Sequence, residues 1–215
     1  MKISQATKRL YIIGIGPGHK DYILPQAKIT IKKMDVIIAG KRHLDSFNLS
    51  EKEIYTIKGS LSHLKTYISE LPENKKIGMI VSGDPSFYSI LEWTKRNFVD
   101  YKIETISGIS SLQYFFNRLN KSYHKSYWVS LHGRDNDFIS KINEHRYVAL
   151  LTDQMHSPHW IAKKMIQQSK KNKMYVGENL SYDNEIITSG LPEEILKKDN
   201  SKLSVVIIEN ENYKG

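Results

Sequence analysis

The amino-acid sequence predicts an α/β fold with two domains, and three observations carry this prediction. Short apolar runs without polar alternation recur along the chain, which is typical of parallel strands covered on both faces. Amphipathic stretches with helical spacing stand between these runs. Glycine-containing turns follow several of them, at the strand ends where open α/β sheets bind ligands. We expect one α/β domain over residues 1–120 and a second over residues 121–215.

Composition narrows the class of protein. The 215 residues are 40% hydrophobic and 26% charged, which is typical of a globular chain. The absence of cysteine excludes disulfides, thiolate metal sites and cysteine nucleophiles. No apolar run is as long as a membrane span, and the N-terminal residues lack the hydrophobic core of a signal peptide. We therefore expect a cytoplasmic protein without membrane contact.

The formal net charge of +9 is compatible with nucleic acid, an acidic membrane surface or a small polyanionic substrate. Much of the excess is lysine in short pairs, which is more typical of a solvated surface than of a binding stripe. The sequence has neither a basic tail nor basic residues interleaved with aromatic ones, and this disfavours nucleic acid.

The first half of the chain predicts alternating strands and helices. Apolar or β-rich runs predict strands at 10–15, 36–39, 53–57, 77–81 and 102–105. Helical spacing predicts helices at 25–34, from 41, at 61–71, at 87–97 and from 111. Buried strands joined by helices predict a parallel sheet.

The first strand ends in Gly14-Ile-Gly-Pro-Gly18, which lets the backbone approach another group closely. His19 stands where the third glycine of a dinucleotide fingerprint would be, and no Gly-Lys-Ser/Thr follows as in a Walker loop. The turn therefore either closes a tight strand-to-helix connection or holds a ligand that is neither a standard dinucleotide nor a nucleoside triphosphate.

Three further turns follow predicted strands. Arg42 and His43 open a helix and can meet an anion, although basic residues are equally common on an exposed first turn. Asp84 in Ser-Gly-Asp-Pro can offer its carboxylate to a ribose hydroxyl or an amino group, or can form an Asx-turn or helix cap. Ser110 and Ser111 are either caps or donors to a ligand. Together these turns predict a cleft.

The second half begins again after a polar stretch at 118–125. Strands are predicted at 127–131, 147–151, 174–176, 185–189 and 203–209. Ser157-Pro158 and Pro192 predict two helix starts. His156 and His159 lack a nearby glutamate of the His-Glu-x-x-His kind and the other histidines are scattered, so we expect no metal site. A Gly-x-Ser-x-Gly elbow is missing, which argues against an α/β-hydrolase.

Four of these turns, in this order, resemble the tetrapyrrole methylase family. They are Ile12-Ile-Gly-Ile-Gly-Pro-Gly18, Ser82-Gly-Asp-Pro85, Gly108-Ile-Ser-Ser111 and Gly177-Glu-Asn179. Gly40-Lys-Arg-His-Leu44, Ser130-Leu-His-Gly-Arg134 and Val176-Gly-Glu-Asn-Leu180 are similar to the branch that methylates C5 of the corrin ring. Ser107 departs from the proline that usually precedes Gly-Ile-Ser-Ser in the family.

The resemblance implies a two-domain fold with a cofactor cleft between the domains. It implies S-adenosylmethionine-dependent methylation of a cobalt-precorrin at C5 in cobalamin (vitamin B12) biosynthesis. The implied cofactor-binding residues are Ile15, Gly83, Asp84, Phe87, Ser110, Ser111, Leu151, Thr152, Gly177 and Glu178. The implied substrate-binding residues are Gly16, Pro17, Gly18, Arg42, His43 and Arg134, and His132 is either a general base or a residue with a purely positional role.

The resemblance also implies partners and leaves alternatives open. Family members tend to be dimers, so we expect a homodimer. The decarboxylating C15 methylation belongs to a separate domain type for which this chain has no room, and we expect a separate C15 methyltransferase. The alternatives are a methylase of the same fold that acts on another ring position, on ribosomal RNA or on a diphthamide precursor, and a non-catalytic ligand-binding module.

Overall fold

The structure is a computed structural model that describes residues 8–133, 136–199 and 203–214. Arg134, one of the predicted substrate-binding residues, lies outside the described residues. The chain divides into two compact units, Met1–Ser110 and Ser111–Gly215. Each unit contains one five-stranded sheet, and the α/β class predicted from the sequence is confirmed.

The first unit is built on a fully parallel sheet. Its strands are β1 (Arg9–Gly14), β2 (Val36–Ala39), β3 (Glu53–Thr56), β4 (Ile77–Val81) and β5 (Lys102–Ile106). They are arranged in the order β3-β2-β4-β1-β5. A short 3-10 helix (Lys20–Tyr22) precedes α1 (Pro25–Lys32), and α2 (Lys41–Leu44), α3 (Leu61–Glu70) and α4 (Leu91–Asn97) follow in the chain.

The core of the first unit explains why β1 carries no polar alternation. Ile13 packs in a buried cluster with residues of α1, including Ala27. Leu10 packs in a second cluster with Leu64 and Ile68 of α3. Apolar side chains leave water on both faces of the strand, and this burial favours a central strand over an edge strand.

The second unit is built on a mixed sheet. Its strands are β6 (Ser126–Ser130), β7 (Tyr147–Leu151), β8 (Lys173–Glu178), β9 (Ile186–Gly190) and β10 (Ser204–Glu209). They are arranged in the order β6-β7-β10-β8-β9, with β6 and β7 parallel and the other neighbours antiparallel. The helices are α5 (Ser111–Arg118), α6 (Lys141–Glu144), α7 (Pro158–Gln167) and α8 (Pro192–Ile195).

The division between the units differs from the boundary that we predicted between residues 120 and 121. Helix α5, which the prediction assigned to the first domain, belongs to the second unit. Phe116 of α5 stacks on Trp128 and meets the ring of Tyr147 edge-on, with centroids 5.9 and 5.5 Å apart. The apolar face of α5 is therefore covered by residues of the second sheet, a pairing that helical spacing alone does not reveal.

Two helices also differ from their predictions. The helix predicted at 87–97 begins only at Leu91, because Asp84 accepts the backbone N–H of Ser86 and Tyr88 adopts a φ of 46°. Helix α6 was not predicted, since four residues are too few to show a helical period. Among the described residues, no helix is both long and apolar enough to cross a membrane.

Candidate functional site

Three glycines meet backbone to backbone at the carboxyl ends of β1, β4 and β5. A Cβ atom added to Gly14 would lie 2.6 Å from the carbonyl oxygen of Gly83 and 2.8 Å from the nitrogen of Gly108. A Cβ atom on Gly108 would lie even closer to that oxygen and 2.9 Å from the carbonyl carbon of Gly14. Any side chain at Gly14 or Gly108 would push these turns apart.

The first glycine turn is tied to the turn after β4. The N–H of Gly83 donates to the carbonyl oxygen of Gly16 at 2.7 Å, and the N–H of Gly16 donates to that of Gly83 at 3.3 Å. Ile15 is buried and donates its N–H to Val81 at 3.0 Å. Pro17 and Gly18 are half-buried and lead into the 3-10 helix. Gly16 has a φ of 81°, which a residue with a side chain rarely adopts.

Asp84 joins the turn after β4 to the turn after β5. Its Oδ2 accepts the N–H of Gly108 at 3.1 Å, and its Oδ1 accepts the N–H of Ser86 at 2.8 Å together with the Ser86 hydroxyl. Both carboxylate oxygens thus have protein partners. This arrangement favours the interpretation in which Asp84 shapes the turn over the one in which it offers its carboxylate to a ligand.

Phe87, Ser110 and Ser111 lie close to the same turns in the chain. Phe87 is half-buried and contacts Tyr88 edge-on, with ring centroids 4.9 Å apart. Ser110 is buried, and its Cα lies 3.6 Å from where a Cβ atom on Gly83 would stand. Ser111 is the first residue of α5. Predicted cofactor-binding residues therefore converge at the carboxyl edge of the first sheet.

Arg42 and His43 begin α2 at the carboxyl end of β2, next to β4 in the sheet. The Nε–H of Arg42 donates to Nε2 of His43 at 3.0 Å, and its second guanidinium nitrogen donates to the Ser82 hydroxyl at 3.4 Å. Burial, and then the charge of Arg42, lower the pKa of His43 to about 4. His43 is thus neutral at pH 7, and Arg42 supplies the positive charge at this edge.

At one edge of the second sheet, β6, β7 and β8 end side by side with the start of β10. His132 and Gly133 are exposed and follow β6. Leu151 ends β7, and the hydroxyl of Thr152 donates to the carbonyl oxygen of Ser204 at 2.6 Å. Predicted cofactor-binding residues and the predicted base His132 therefore share this edge. The backbone N–H of His132 donates to the Ser130 hydroxyl at 3.2 Å.

Gly177 and Glu178 are the last two residues of β8, and both are buried. A Cβ atom on Gly177 would lie 2.8 Å from the side chain of Leu180 and 2.9 Å from the ring of Phe115. This glycine therefore makes room for core side chains. Glu178 pairs with Ser204 of β10, opposite the hydroxyl contact of Thr152, so that these three residues form one row across the sheet.

The sequence analysis missed two residues of the second edge. Asp153 accepts hydrogen bonds from the N–H groups of Gly133, Met155 and His156 at 2.8, 2.9 and 2.6 Å. Its position after a buried strand and before a helix was a usable signal, the same one that singled out Asp84. Ser204 gave no signal, because it starts an antiparallel strand whose neighbours are not adjacent in sequence.

Metal ligands do not converge at either edge. Within residues 8–133, 136–199 and 203–214, no three histidine, aspartate or glutamate side chains lie close enough together to hold a metal ion. His156 instead places its Nδ1 3.1 Å from Asp153 and packs edge-on against Trp160.

Comparisons with known proteins agree on one family. The family model of the Tetrapyrrole (Corrin/Porphyrin) Methylases matches residues 9–196. A Methanocaldococcus jannaschii protein named "Probable cobalt-precorrin-7 C(5)-methyltransferase" is 34% identical over 210 residues, which cover 94% of this chain and 98% of that protein. The cobalt-precorrin-7 C(5)-methyltransferase of Salmonella typhimurium is 31% identical over 201 residues, which cover 93% and 98% of the two chains.

A solved structure extends the likeness to the fold. The uroporphyrin-III C-methyl transferase of Thermus thermophilus, in complex with S-adenyl homocysteine, superposes with a TM-score of 0.76. It covers 94% of this chain and 97% of its own, at 17% identity.

Proposed function

Because this chain belongs to the tetrapyrrole (corrin/porphyrin) methylase family, we propose that it methylates C5 of the macrocycle of cobalt-precorrin-7 in cobalamin biosynthesis. The observation that carries the proposal is the nearly end-to-end match to two relatives that bear this activity in their names. The methyl donor is S-adenosylmethionine, in keeping with the S-adenyl homocysteine bound by a protein of the same fold.

The carboxyl ends of β1, β4 and β5, which form the first edge, carry groups that suit this donor. Gly14, Gly16 and Gly108 let the turns pack against neighbouring backbone, whereas the nearest atom to a Cβ added on Gly83 is the Cα of Ser110 at an ordinary 3.6 Å, so a ligand can approach the backbone at Gly83. Ser82, Ser86 and Ser110 lie within three residues of these glycines in the chain, and serine hydroxyls suit the carboxylate, amino and ribose groups of the donor. We assign cofactor contacts at this edge to Ile15, Gly83, Phe87 and Ser110 and to the shape of the turn at Asp84.

The second unit supplies the other proposed cofactor contacts, which are Ser111, Leu151, Thr152, Gly177 and Glu178. The row of Thr152, Ser204 and Glu178 offers backbone and hydroxyl groups in fixed positions, because Ser204 and Glu178 lie in strands and the Thr152 hydroxyl donates to Ser204. Groups held in this way lose little freedom on binding, which favours affinity.

The substrate contacts are proposed for residues Gly16 to Gly18, Arg42, His43 and Arg134. A macrocycle that carries several carboxylates matches the net charge of +9 and would be drawn toward the basic surface. The guanidinium of Arg42 can pair with a carboxylate, since its contacts with His43 and Ser82 leave further N–H groups to donate.

Methyl transfer requires mainly that the methyl group and the ring carbon are held in the correct orientation. S-adenosylmethionine, when bound, supplies an electrophilic methyl group, and the electron-rich ring supplies the carbon nucleophile. The protein then holds the ring carbon in line and keeps water away. His132 is the proposed acceptor of a ring proton, because its ring is exposed beside the turn after β6.

Methyl transfer from 13C-methyl-labelled S-adenosylmethionine to cobalt-precorrin-7, followed by NMR of the product, tests the proposal. We expect one new methyl signal at C5. Label at another ring position would move the chain to another branch of the family. Donor binding without label in the ring would favour a macromolecular substrate or a non-catalytic module. The variant Arg42→Lys, which keeps the charge but not the fork of donors, should raise KM for the macrocycle.

Assembly and location form the rest of the proposal. We propose a cytoplasmic homodimer, testable by light scattering at several concentrations. We also propose that C15 methylation and decarboxylation fall to a separate protein, because the matched relatives are named for C5 alone over nearly their whole length. Transfer of the labelled methyl group by this chain to C15 of a precorrin that still lacks it would contradict that division.

A further inference from the structure

Asp153 is the most heavily bonded side chain at the edge of the second sheet, and the proposed mechanism gives it no role. Its Oδ1 faces its own segment and accepts the N–H groups of Met155 and His156, with Nδ1 of His156 3.1 Å away. Its Oδ2 faces the neighbouring strand and accepts the N–H of Gly133 at 2.8 Å. Oδ1 thus restrains the segment that contains Asp153, and Oδ2 links that segment to the end of the neighbouring strand.

Within the described part of the chain, the turn that Oδ2 holds has few other supports. Gly133 has a φ of 67°, and a Cβ atom on it would meet nothing within 4 Å, so packing does not fix its position. The remaining restraints come from the start of the turn, where the Ser130 hydroxyl accepts the N–H of His132 and Asn136 donates to the Ser130 carbonyl oxygen at 2.7 Å. Among residues 8–133, 136–199 and 203–214, the hydrogen bond to Asp153 therefore restrains Gly133 directly.

The charge of Asp153 is well suited to this restraint. The side chain is only 14% exposed, so little water competes for its oxygens. Burial opposes ionisation, but the N–H groups of His156 and Gly133 outweigh it and hold the pKa of Asp153 below its usual range. A carboxylate is thus present at neutral pH, and hydrogen bonds to an ionised acceptor are the stronger kind.

We propose that Asp153 is a positioning residue for methyl transfer, whose Oδ2 fixes the His132–Gly133 turn so that His132 meets the tetrapyrrole in one orientation. The inference rests on the proposed function, since it assumes that this turn faces the macrocycle. Asp153 itself need not touch substrate or cofactor.

The variant Asp153→Asn separates the two oxygens. An asparagine oxygen can still accept the local N–H groups of Met155 and His156, as asparagine does in turns and caps. Its amide NH2 would then face the N–H of Gly133 and could not accept it. The matched control is Asp100→Asn, which removes the same charge from an exposed position in the first unit.

Three measurements decide the matter. Amide hydrogen exchange of Gly133, read by NMR, should speed up in Asp153→Asn but not in the control. The kcat/KM for cobalt-precorrin-7 should fall by roughly tenfold to a hundredfold, the range for loss of a charged hydrogen bond. The Kd for S-adenosylhomocysteine should stay within about twofold of the wild-type value, since the local fold is kept.

Unchanged Gly133 exchange, or unchanged kcat/KM in a variant whose wild-type parent methylates the ring, would overturn the inference. A loss of affinity for S-adenosylhomocysteine as large as the loss in kcat/KM would also overturn the inference, because it would mean general damage to this sheet edge. A wild-type chain that does not methylate the ring would instead overturn the proposed function and the reactive role of the turn. Faster Gly133 exchange would then still establish the link to Asp153.

Discussion

At each of the two sheet edges, an aspartate carboxylate accepts the N–H of a glycine in another turn, but the surroundings of this hydrogen bond differ. In the first unit, Oδ2 of Asp84 after β4 accepts the N–H of Gly108 after β5 at 3.1 Å. In the second, Oδ2 of Asp153 after β7 accepts the N–H of Gly133 after β6 at 2.8 Å. The first link passes over the end of β1, which lies between β4 and β5, whereas β6 and β7 are direct neighbours.

The intervening strand explains the difference in glycine use. Because the Asp84 link crosses β1, Gly14 lies beneath it with the backbones of Gly83 and Gly108 in contact. Gly133 has open space around it. Hydrogen bonds hold both edges, and close packing of backbone is added at the first. Substitutions that add volume should therefore damage the first edge more than the second.

The largest effect is expected from Gly108→Ala. The new methyl group would overlap the backbone of Gly83 and Gly14, which cannot move aside without separating two strands. We expect a loss of roughly 3 kcal/mol or more in the free energy of unfolding, as for overpacking of a rigid core. Urea denaturation measures it, and a loss below about 1 kcal/mol would contradict the close approach of these backbones.

Asp84→Asn should have the next largest effect. Its oxygen can keep the bond to Ser86, but its NH2 group cannot accept the N–H of Gly108. With the turn at Gly83 loosened, the Kd for S-adenosylhomocysteine should rise by about tenfold. Calorimetric titration checks this, beside Asp153→Asn, for which we expect little change. Equal effects of the two variants would remove the distinction between the edges.

Gly133→Ala should cost less than Gly108→Ala. No atom opposes the new methyl group, so the cost comes only from a φ of 67° in a residue with a side chain. We expect about 1 kcal/mol from this conformational strain. The same urea experiment gives the value, and a loss as large as that of Gly108→Ala would mean that Gly133 is packed after all.

The smallest effect concerns pH. Because the pKa of His43 is lowered to about 4, the unfolded chain binds a proton between pH 6.5 and 4 that the folded chain does not. The free energy of unfolding should therefore decrease as the pH is lowered from 6.5 to 4. The decrease should be less than the roughly 1.4 kcal/mol per pH unit of a full proton, since solvent screens the site. In His43→Gln the fall in Tm between pH 6.5 and 4 should be shallower. An identical fall in both proteins would mean that His43 titrates normally.

The sequence predicted the strands of both sheets well, because apolar runs such as Ile77–Val81 are dictated by burial on two faces. It also singled out the turns at Gly14, Asp84 and Gly108, because glycine and Asp-Pro restrict the backbone locally. What it could not give were contacts between distant segments. The packing of Phe116 on Trp128 links α5 to the second sheet. The hydrogen bond from the Gly133 N–H to Asp153 depends on which strands are neighbours.

The role of Asp84 shows the same limit. Its sequence context was equally compatible with a ligand contact and with a turn, and the choice depends on the partners of its two oxygens. Those partners lie on two different strand ends, one of them 24 residues away in the chain. Local pattern therefore located the turn at this sheet edge but not which partner each oxygen of Asp84 has.

The most direct test of this account is an NMR titration of the 15N-labelled chain with S-adenosylhomocysteine. The account predicts saturable shifts at one equivalent in the amides of Gly83 and Ser110 of the first unit and of Thr152 and Glu178 of the second. The amide of Asp100, which precedes the amino end of β5, should not shift. Shifts confined to other residues, or no saturable shift at all, would contradict the assignment of the cofactor to these strand ends.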